Sequence, residues 1–382
     1  MAAADRASLS TVKYGRRFFG GEEPFELAAY AYGLFAQATR SSLYPGLPGP
    51  KSVERMQREV TEFALELLRA PPGATGTVTS GGTESVILAA KAAVAQARSR
   101  GLSATDMQFV VPRSAHPCID KAAELLNVRL VRVATGSDWT ADVAAMKEAL
   151  SPQTVLLYGS FPSYAYGLTD DIEGLGAIAA SRGVWLHVDA CMSGMLAPFA
   201  RLNGEVISPF DFSIPGVSSL SADLHKHGYS AKGSSLVLFR SEELGRFASF
   251  SYADHPLPPM RTPTLAGTAA SAPIASAWAV MRRLGVAGYR ELAARLFATR
   301  RATVASIQGV PGFSVLGTPL FSLVVFTTRY DVGKIRDGLT RRDWFTLPVL
   351  RPPGIHLNLG AYDESLAAEL AQDLTSIVEH DH

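Results

Sequence analysis

The sequence predicts an α/β fold built on a mostly parallel β-sheet. Three observations carry that prediction. Apolar runs of strand length alternate with helical stretches after Pro71-Pro72-Gly73. These runs are continuous rather than alternating, as expected of strands covered on both faces. The composition, 47% hydrophobic and 19% charged over 382 residues, supports a sizeable core and excludes a disordered chain.

The elements follow in order. Over residues 53–68, Val53, Met56, Val60, Phe63, Ala64 and Leu67 recur at helical spacing, predicting one amphipathic helix. Strands are predicted at FVV (109–111), LVRV (130–133), TVLLY (154–158), VWLHV (184–188) and SSLVLF (234–239). Helices fall between them, from about Cys118, near 140–150 and near 172–181. Pro256, Pro258, Pro259 and Pro263 punctuate a loop, and two helices follow over about 271–284 and 289–307. The remainder reads as strands FSV, FSLVVF and IHLNL with helices near 332–339 and 364–377, a small α+β unit. The expected organisation is an arm at 1–52, a large domain at 53–284 and a small C-terminal domain at 285–382.

Charge and processing signals narrow the class. Lys and Arg total 36 against 35 Asp and Glu, a net charge of +1, without the basic excess that a nucleic-acid or membrane surface needs. The N-terminus has no apolar core of signal-peptide length, and Arg16-Arg17 lacks the apolar stretch of a twin-arginine signal. No run of about 18 apolar residues occurs, so no membrane span is expected. The only cysteines, Cys118 and Cys191, suit reduced thiols in a cytosol. A cytoplasmic enzyme is the leading class, with no metal site expected.

Four segments carry candidate chemistry. The first is TSGGTES, 79–85, opening an Ala-rich helix. Gly81 and Gly82 allow close backbone approach, Thr83 and Ser85 offer hydroxyls, and the helix start attracts an anion such as phosphate. A simple capped turn would look the same, and the segment matches neither the Walker loop nor GxGxxG. The second is HVDAC, 187–191, where Asp189 ends an apolar strand and either contacts a ligand cation or caps a loop. The third is SADLHKHGYSAKGSS, 221–235, with Lys226 between His225 and His227. Such a lysine forms a Schiff base if neighbouring cations and desolvation lower its pKa; otherwise it belongs to a solvated basic loop. The fourth is His116 in SAHPCIDKAAEL, a catalytic or a packing residue at a strand-to-helix junction.

The four occur in one order: Gly-rich loop, His, Asp at a strand end, Lys. Together with GSFPSYAYG followed by Asp170-Asp171, PTLAGT and PGIHLNL, they make the chain resemble sphingosine-1-phosphate lyases and, more widely, the group II pyridoxal-phosphate-dependent decarboxylases. The resemblance runs from about Pro45 to the end. It implies fold-type I, with a mostly parallel seven-stranded sheet in the large domain and a small C-terminal α+β domain.

The resemblance also implies site roles. Lys226 would hold pyridoxal 5′-phosphate as a Schiff base, Asp189 would pair with the pyridine nitrogen, and His116 would stack on the ring. Gly82, Thr83 and His225 would contact the phosphate, and Gly81, Ser160, Cys191 and Ser221 would complete the cofactor site. Gly267 and Thr268 would reach the neighbouring subunit's phosphate in a homodimer with shared active sites. Tyr44, Tyr166, Lys232 and His356 would face the substrate.

The chain departs from the family pattern on the substrate side. Ala269 replaces an arginine, Ser193 replaces a glycine, and Tyr44 stands where a His is expected within a divergent segment over 41–58. The implied activity is retro-aldol cleavage of a Cα–Cβ bond in a β-hydroxy or phosphorylated amine. The alternatives are amino-acid decarboxylation and, more remotely, a non-catalytic cofactor-binding protein.

Overall fold

The computed structural model describes residues 12–15, 18–38, 51–103 and 106–380. Tyr44 and about half of the expected arm, residues 1–11, 16–17 and 39–50, lie outside the described residues.

Seven strands form the main sheet: β1 (Thr75–Thr79), β2 (Gln108–Pro112), β3 (Arg129–Val133), β4 (Thr154–Ser160), β5 (Trp185–Asp189), β6 (Val217–Ala222) and β7 (Ser235–Phe239). Their order is β1-β7-β6-β5-β4-β2-β3. β7 pairs antiparallel with both β1 and β6, and every other pairing is parallel. Side chains alternate between two cores. Val110, Leu157, Leu186, Val188 and Leu220 enter one apolar cluster. Phe109, Val111, Leu156, Tyr158 and Trp185 enter the other. Both faces are therefore covered, which is why these strands read as unbroken apolar runs.

β1 and β6 are absent from the apolar runs of the sequence, because they are rich in Thr, Gly and Ser. Their polar side chains are satisfied internally. Ser219 Oγ accepts from Trp185 Nε1 at 2.7 Å and pairs with His187 Nδ1 at 2.8 Å. Buried hydroxyls with partners cost little, so a serine-rich strand can sit mid-sheet.

Local caps set the helices. Asp142 accepts from the Ala145 N–H, and Asp171 accepts from Gly174 N–H at the start of the helix Ile172–Arg182. That helix ends on Gly183 at φ 64°, a left-handed stop. The helix Gly82–Ser99 buries most of its length against the sheet, and its alanines permit that close approach. The two helices expected between 271 and 307 form one stretch, Ala272–Gly309, broken at Gly285 (φ 53°, ψ −171°).

A short hairpin, β8 (Phe250–Tyr252) and β9 (Met260–Thr262), brackets the proline-rich loop. The C-terminal sheet runs β10 (Phe313–Val315), β11 (Leu323–Thr328), β13 (Pro353–Asn358), β12 (Leu347–Leu350), all antiparallel. No helix of the described residues is long and apolar enough to cross a membrane.

Candidate active site

Register builds the site. Ser160 on β4 pairs with Asp189 on β5, and Asp189 pairs with Ser221 on β6. The three side by side mark the carboxyl ends of parallel strands, where open α/β sheets bind ligands. Asp170 fixes the end of β4, accepting from Ser160 N–H at 2.7 Å and from Ala141 N–H at 2.8 Å. Its burial pushes the carboxyl up to about 6 against those two bonds.

A cavity of about 400 Å³ opens at this edge. Gly81, Gly82, Thr83, His116, Asp189, Cys191, His225 and Lys226, eight of the expected site residues, line it together. Cys118, Tyr164 and Asp223 line it as well, and sequence reasoning did not single these out.

Asp189 accepts three hydrogen bonds. Tyr158 Oη donates to Oδ2 at 2.5 Å, while Cys191 N–H and Ser221 Oγ donate to Oδ1 at 3.0 and 3.2 Å. Burial by itself would raise the Asp189 pKa; the Tyr158 and Cys191 bonds and the charge on Lys226 outweigh it and hold the carboxyl below its usual value. Asp189 is therefore a fixed anion. Burial, the first cause in each case, pushes both thiols up: Cys191 stays well above, and Cys118 is raised too, so both are protonated.

The Gly-rich loop joins β1 to the helix Gly82–Ser99. Glu84 staples it, taking the Ser80 N–H on Oε2 at 2.6 Å and the Leu265 N–H on Oε1 at 2.9 Å. The 264–268 segment is thereby tied to the loop of its own chain, and Thr268 lines a second cavity of about 270 Å³ behind Ser80 and Glu84. A Cβ on Gly82 would stand 2.7 Å from Cys191 Sγ and 3.0 Å from Asp223 Oδ1. Only glycine lets the backbone come this close to the cavity floor.

Lys226 Nζ lies 3.0 Å from Asp223 Oδ2. The expectation that neighbouring cations lower the Lys226 pKa is overturned. Burial acts in that direction and is the largest single influence, but the attraction of the carboxylates, Asp223 first and then Asp189, opposes it, and the ammonium is held above the ordinary lysine value. The nearest charged neighbour is a carboxylate, set by the Asp223-x-x-Lys226 spacing.

His225 Nδ1 faces the Ser234 carbonyl at 2.6 Å; a carbonyl only accepts, so Nδ1 carries the proton. Burial, above all, lowers the His225 pKa, leaving the ring neutral with Nε2 3.5 Å from Asp223. His116 accepts the Cys118 N–H on Nδ1 at 3.2 Å and meets the Tyr164 ring edge-on, with centroids 6.0 Å apart.

Other expected residues stand outside this cavity. Tyr166 Oη donates to the Arg351 carbonyl at 2.7 Å, and its ring packs on Trp139, so it ties two segments together. His356 is buried and donates from Nε2 to the Tyr164 carbonyl at 3.0 Å, standing one layer behind the cavity wall. Lys232 places Nζ over the Phe18 ring, 5.0 Å from its centre. Ser160 Oγ is buried without a hydrogen-bond partner, beside Asp189.

Comparison with known proteins bears on this geometry. Residues 51–329 match the family model described as the pyridoxal-dependent decarboxylase conserved domain. The chain is 33% identical over 335 residues to a sphingosine-1-phosphate lyase of Oryza sativa subsp. japonica, covering 86% of this chain and 62% of that protein. It is 31% identical over 323 residues to a probable L-aspartate decarboxylase of Pyrococcus furiosus, covering 84% of each. The solved structure of a Burkholderia pseudomallei K96243 sphingosine-1-phosphate lyase superposes with a TM-score of 0.92 at 32% identity, covering 99% of this chain and 89% of that one. The chain spans about three fifths of the length of the first curated relatives it matches. The fold is fold-type I.

The residues present fit pyridoxal phosphate. The fixed anion Asp189 suits a protonated pyridine nitrogen. Lys226 offers a primary amine in the same cavity. The glycine floor, where a side chain would collide, and the start of an 18-residue helix suit a phosphate.

Proposed function

We propose, from the premise that the chain belongs to the pyridoxal-dependent decarboxylase family, that it is a carbon–carbon lyase that cleaves the Cα–Cβ bond of a β-hydroxy, phosphorylated amine. Bound pyridoxal phosphate supplies an aldehyde that captures an amine and a ring that accepts the electron pair released at Cα. This chain's residues do the rest. Lys226 Nζ gives the amine that anchors the cofactor and yields to the substrate. Asp189, ionised by its three donors, holds a proton on the ring nitrogen and so keeps the ring electron-poor. Gly81, Gly82 and Thr83 bind the phosphate with backbone N–H groups and a hydroxyl. His225 lines the same cavity beside them, its neutral ring held by the Ser234 carbonyl. His116, on the cavity wall, would stack on the ring.

In the reaction the β-hydroxyl loses its proton, the Cα–Cβ bond breaks to leave an aldehyde, and Cα takes up a proton. The likeness to sphingosine-1-phosphate lyases over nearly the whole fold supports this bond as the one broken. Lys232, on the same loop as Lys226, is the cation we assign to the substrate's phosphate. Decarboxylation is the second reading, favoured by the relative of aspartate decarboxylase type that matches over 84% of both chains.

The same proposal includes a homodimer that shares its active sites. Exposed Tyr30 and Leu34 on the helix Glu22–Leu34, exposed Leu257 between β8 and β9, and exposed Leu265 beside the Gly-rich loop support a second copy packing there. It also divides the chain at the Gly285 break into units 53–284 and 285–382, and places it in the cytoplasm, where the two free thiols stay reduced.

Product analysis tests the reaction. The cofactor-loaded protein, given a phosphorylated long-chain β-hydroxy amine, should release a fatty aldehyde and phosphoethanolamine. Release of carbon dioxide from L-aspartate without any aldehyde product from the amine would replace the lyase reading by the decarboxylase.

A further inference from the structure

We propose that Asp223 is a positioning residue that holds the free Lys226 side chain as an ammonium ion, so that loading of the pocket by an aldehyde requires this pair to separate. The inference rests on the reading of Lys226 as the cofactor lysine.

Asp223 follows β6 directly and is 2% exposed. Its Oδ2 lies 3.0 Å from Lys226 Nζ and 3.5 Å from His225 Nε2. Its Oδ1 has no hydrogen-bond partner and points beneath Gly82, 3.0 Å from where a Cβ would stand. A buried carboxylate with one close cation is stable only while that cation keeps its charge. His225 does not substitute for Lys226. Its Nδ1 proton is committed to the Ser234 carbonyl, and the ring is neutral. The pair is thus a closed unit in the free pocket.

The other groups facing Nζ leave Asp223 in control. Asp189 and Cys191 approach from the end of β5, and Asp189 is already held by three donors. Cys118 and His116 stand at the start of the neighbouring helix, and Glu84 is committed to two backbone N–H groups. Burial keeps both thiols protonated and holds His227, on the same loop, neutral with its pKa down at about 3. Lys232 sits over the Phe18 ring, and its charge acts on His225. Attraction by Asp223 is the largest influence opposing burial at Lys226.

The chemical consequence concerns capture of the aldehyde. Attack on a carbonyl carbon needs the Nζ lone pair, so the ammonium must first give a proton to solvent. The N–C bond then forms and the carbonyl oxygen leaves as water. Asp223 sets how much of Lys226 is in the reactive form at a given pH.

The test follows capture of pyridoxal 5′-phosphate by cofactor-free protein between about pH 6 and 10, read as absorbance growth beyond about 400 nm and as mass fixed by borohydride. Asp223→Asn should capture the cofactor at least about tenfold faster than wild type at pH 7, as for a pKa lower by about one pH unit. Asp223→Glu should restore the wild-type rate. Binding of 4′-deoxypyridoxine 5′-phosphate, which has no aldehyde, should stay within about threefold, showing the pocket intact. An unchanged capture rate across this range with the analogue still bound, or slower capture at every pH, overturns the proposal.

Should the Asn variant fail to bind the analogue, acetimidate labelling of Lys226 in wild type decides. A labelling midpoint above the ordinary lysine value, about 10.4, supports the pair, and one below it refutes the pair. Borohydride-fixed cofactor in Lys226→Ala would instead refute the reading of Lys226, an outcome distinct from either of these.

Discussion

Replacing Tyr158 by Phe removes one of the three donors that keep Asp189 ionised. The Tyr158 hydroxyl is fully buried and gives its proton to Oδ2 at 2.5 Å; burial, foremost, raises its own pKa so far that it always donates. Cys191 N–H and Ser221 Oγ remain on Oδ1, so Oδ2 alone is stripped. A hydrogen bond to a charged group contributes about 1.5–3 kcal/mol, and one between neutral groups about 0.5–1.5 kcal/mol. The cofactor-free variant should therefore lose about 1.5–3 kcal/mol of stability at pH 7. The sign with pH follows from the lowered pKa of Asp189. A carboxyl lowered on folding contributes stability above its unfolded value, about 3.9, and loses it as pH falls through the lower folded value. The penalty should shrink as pH falls through the Asp189 pKa of the variant and then through the lower value of wild type, so it is smaller at pH 3 than at pH 7. Urea unfolding of both proteins at the two pH values measures it. An equal penalty at both, or less than about 0.5 kcal/mol at pH 7, would show that Tyr158 does not hold the charge of Asp189.

Other substitutions probe the remaining contacts. Asp189→Asn should still bind pyridoxal phosphate but lose about 100-fold or more in kcat, since an amide cannot keep a proton on the ring nitrogen; steady-state kinetics on the loaded protein check this. Gly82→Ala drives a methyl against Cys191 Sγ and Asp223 Oδ1, so the Kd for pyridoxal 5′-phosphate should rise at least about tenfold while that for phosphate-free pyridoxal changes little, as calorimetry would show. Lys232→Met should keep the visible spectrum and lower kcat/KM for a phosphorylated amine at least about tenfold, or 1.4 kcal/mol. Unchanged kcat/KM would leave Lys232 as a packing partner of Phe18.

Much of the architecture was legible because burial on both faces writes itself as apolar runs. β2, β4, β5 and β7 are such runs, and their ends locate Ser160 and Asp189. β1 and β6 were not legible, since TGTVT and VSSLSA carry polar side chains whose partners sit on neighbouring strands. Ser219 is bonded by Trp185 and His187, and Ser221 by Asp189, none of them near in sequence. β12 begins Leu347-Pro348 at a sheet edge, where the missing proline donor is tolerated but the apolar pattern breaks. The cavity's motif residues were legible from their order along the chain. Asp223 was not, although the Asp-x-x-Lys spacing was in view; a carboxylate three residues before a lysine is common on solvated loops, and only its burial makes it a site group. Tyr166 and His356 illustrate the converse: both belong to matching motifs, yet their polar atoms are committed to the backbone carbonyls of Arg351 and Tyr164.

The central claim is that Lys226, beside Asp189 and the Gly81–Gly82 floor, is the residue that takes the cofactor. Borohydride reduction of the loaded wild-type protein, followed by peptide mapping, tests it most directly. One phosphopyridoxyl group per chain is expected on Lys226 and none in Lys226→Ala. A stoichiometric label on Lys232 or any other lysine, with Lys226 unmodified, would contradict it.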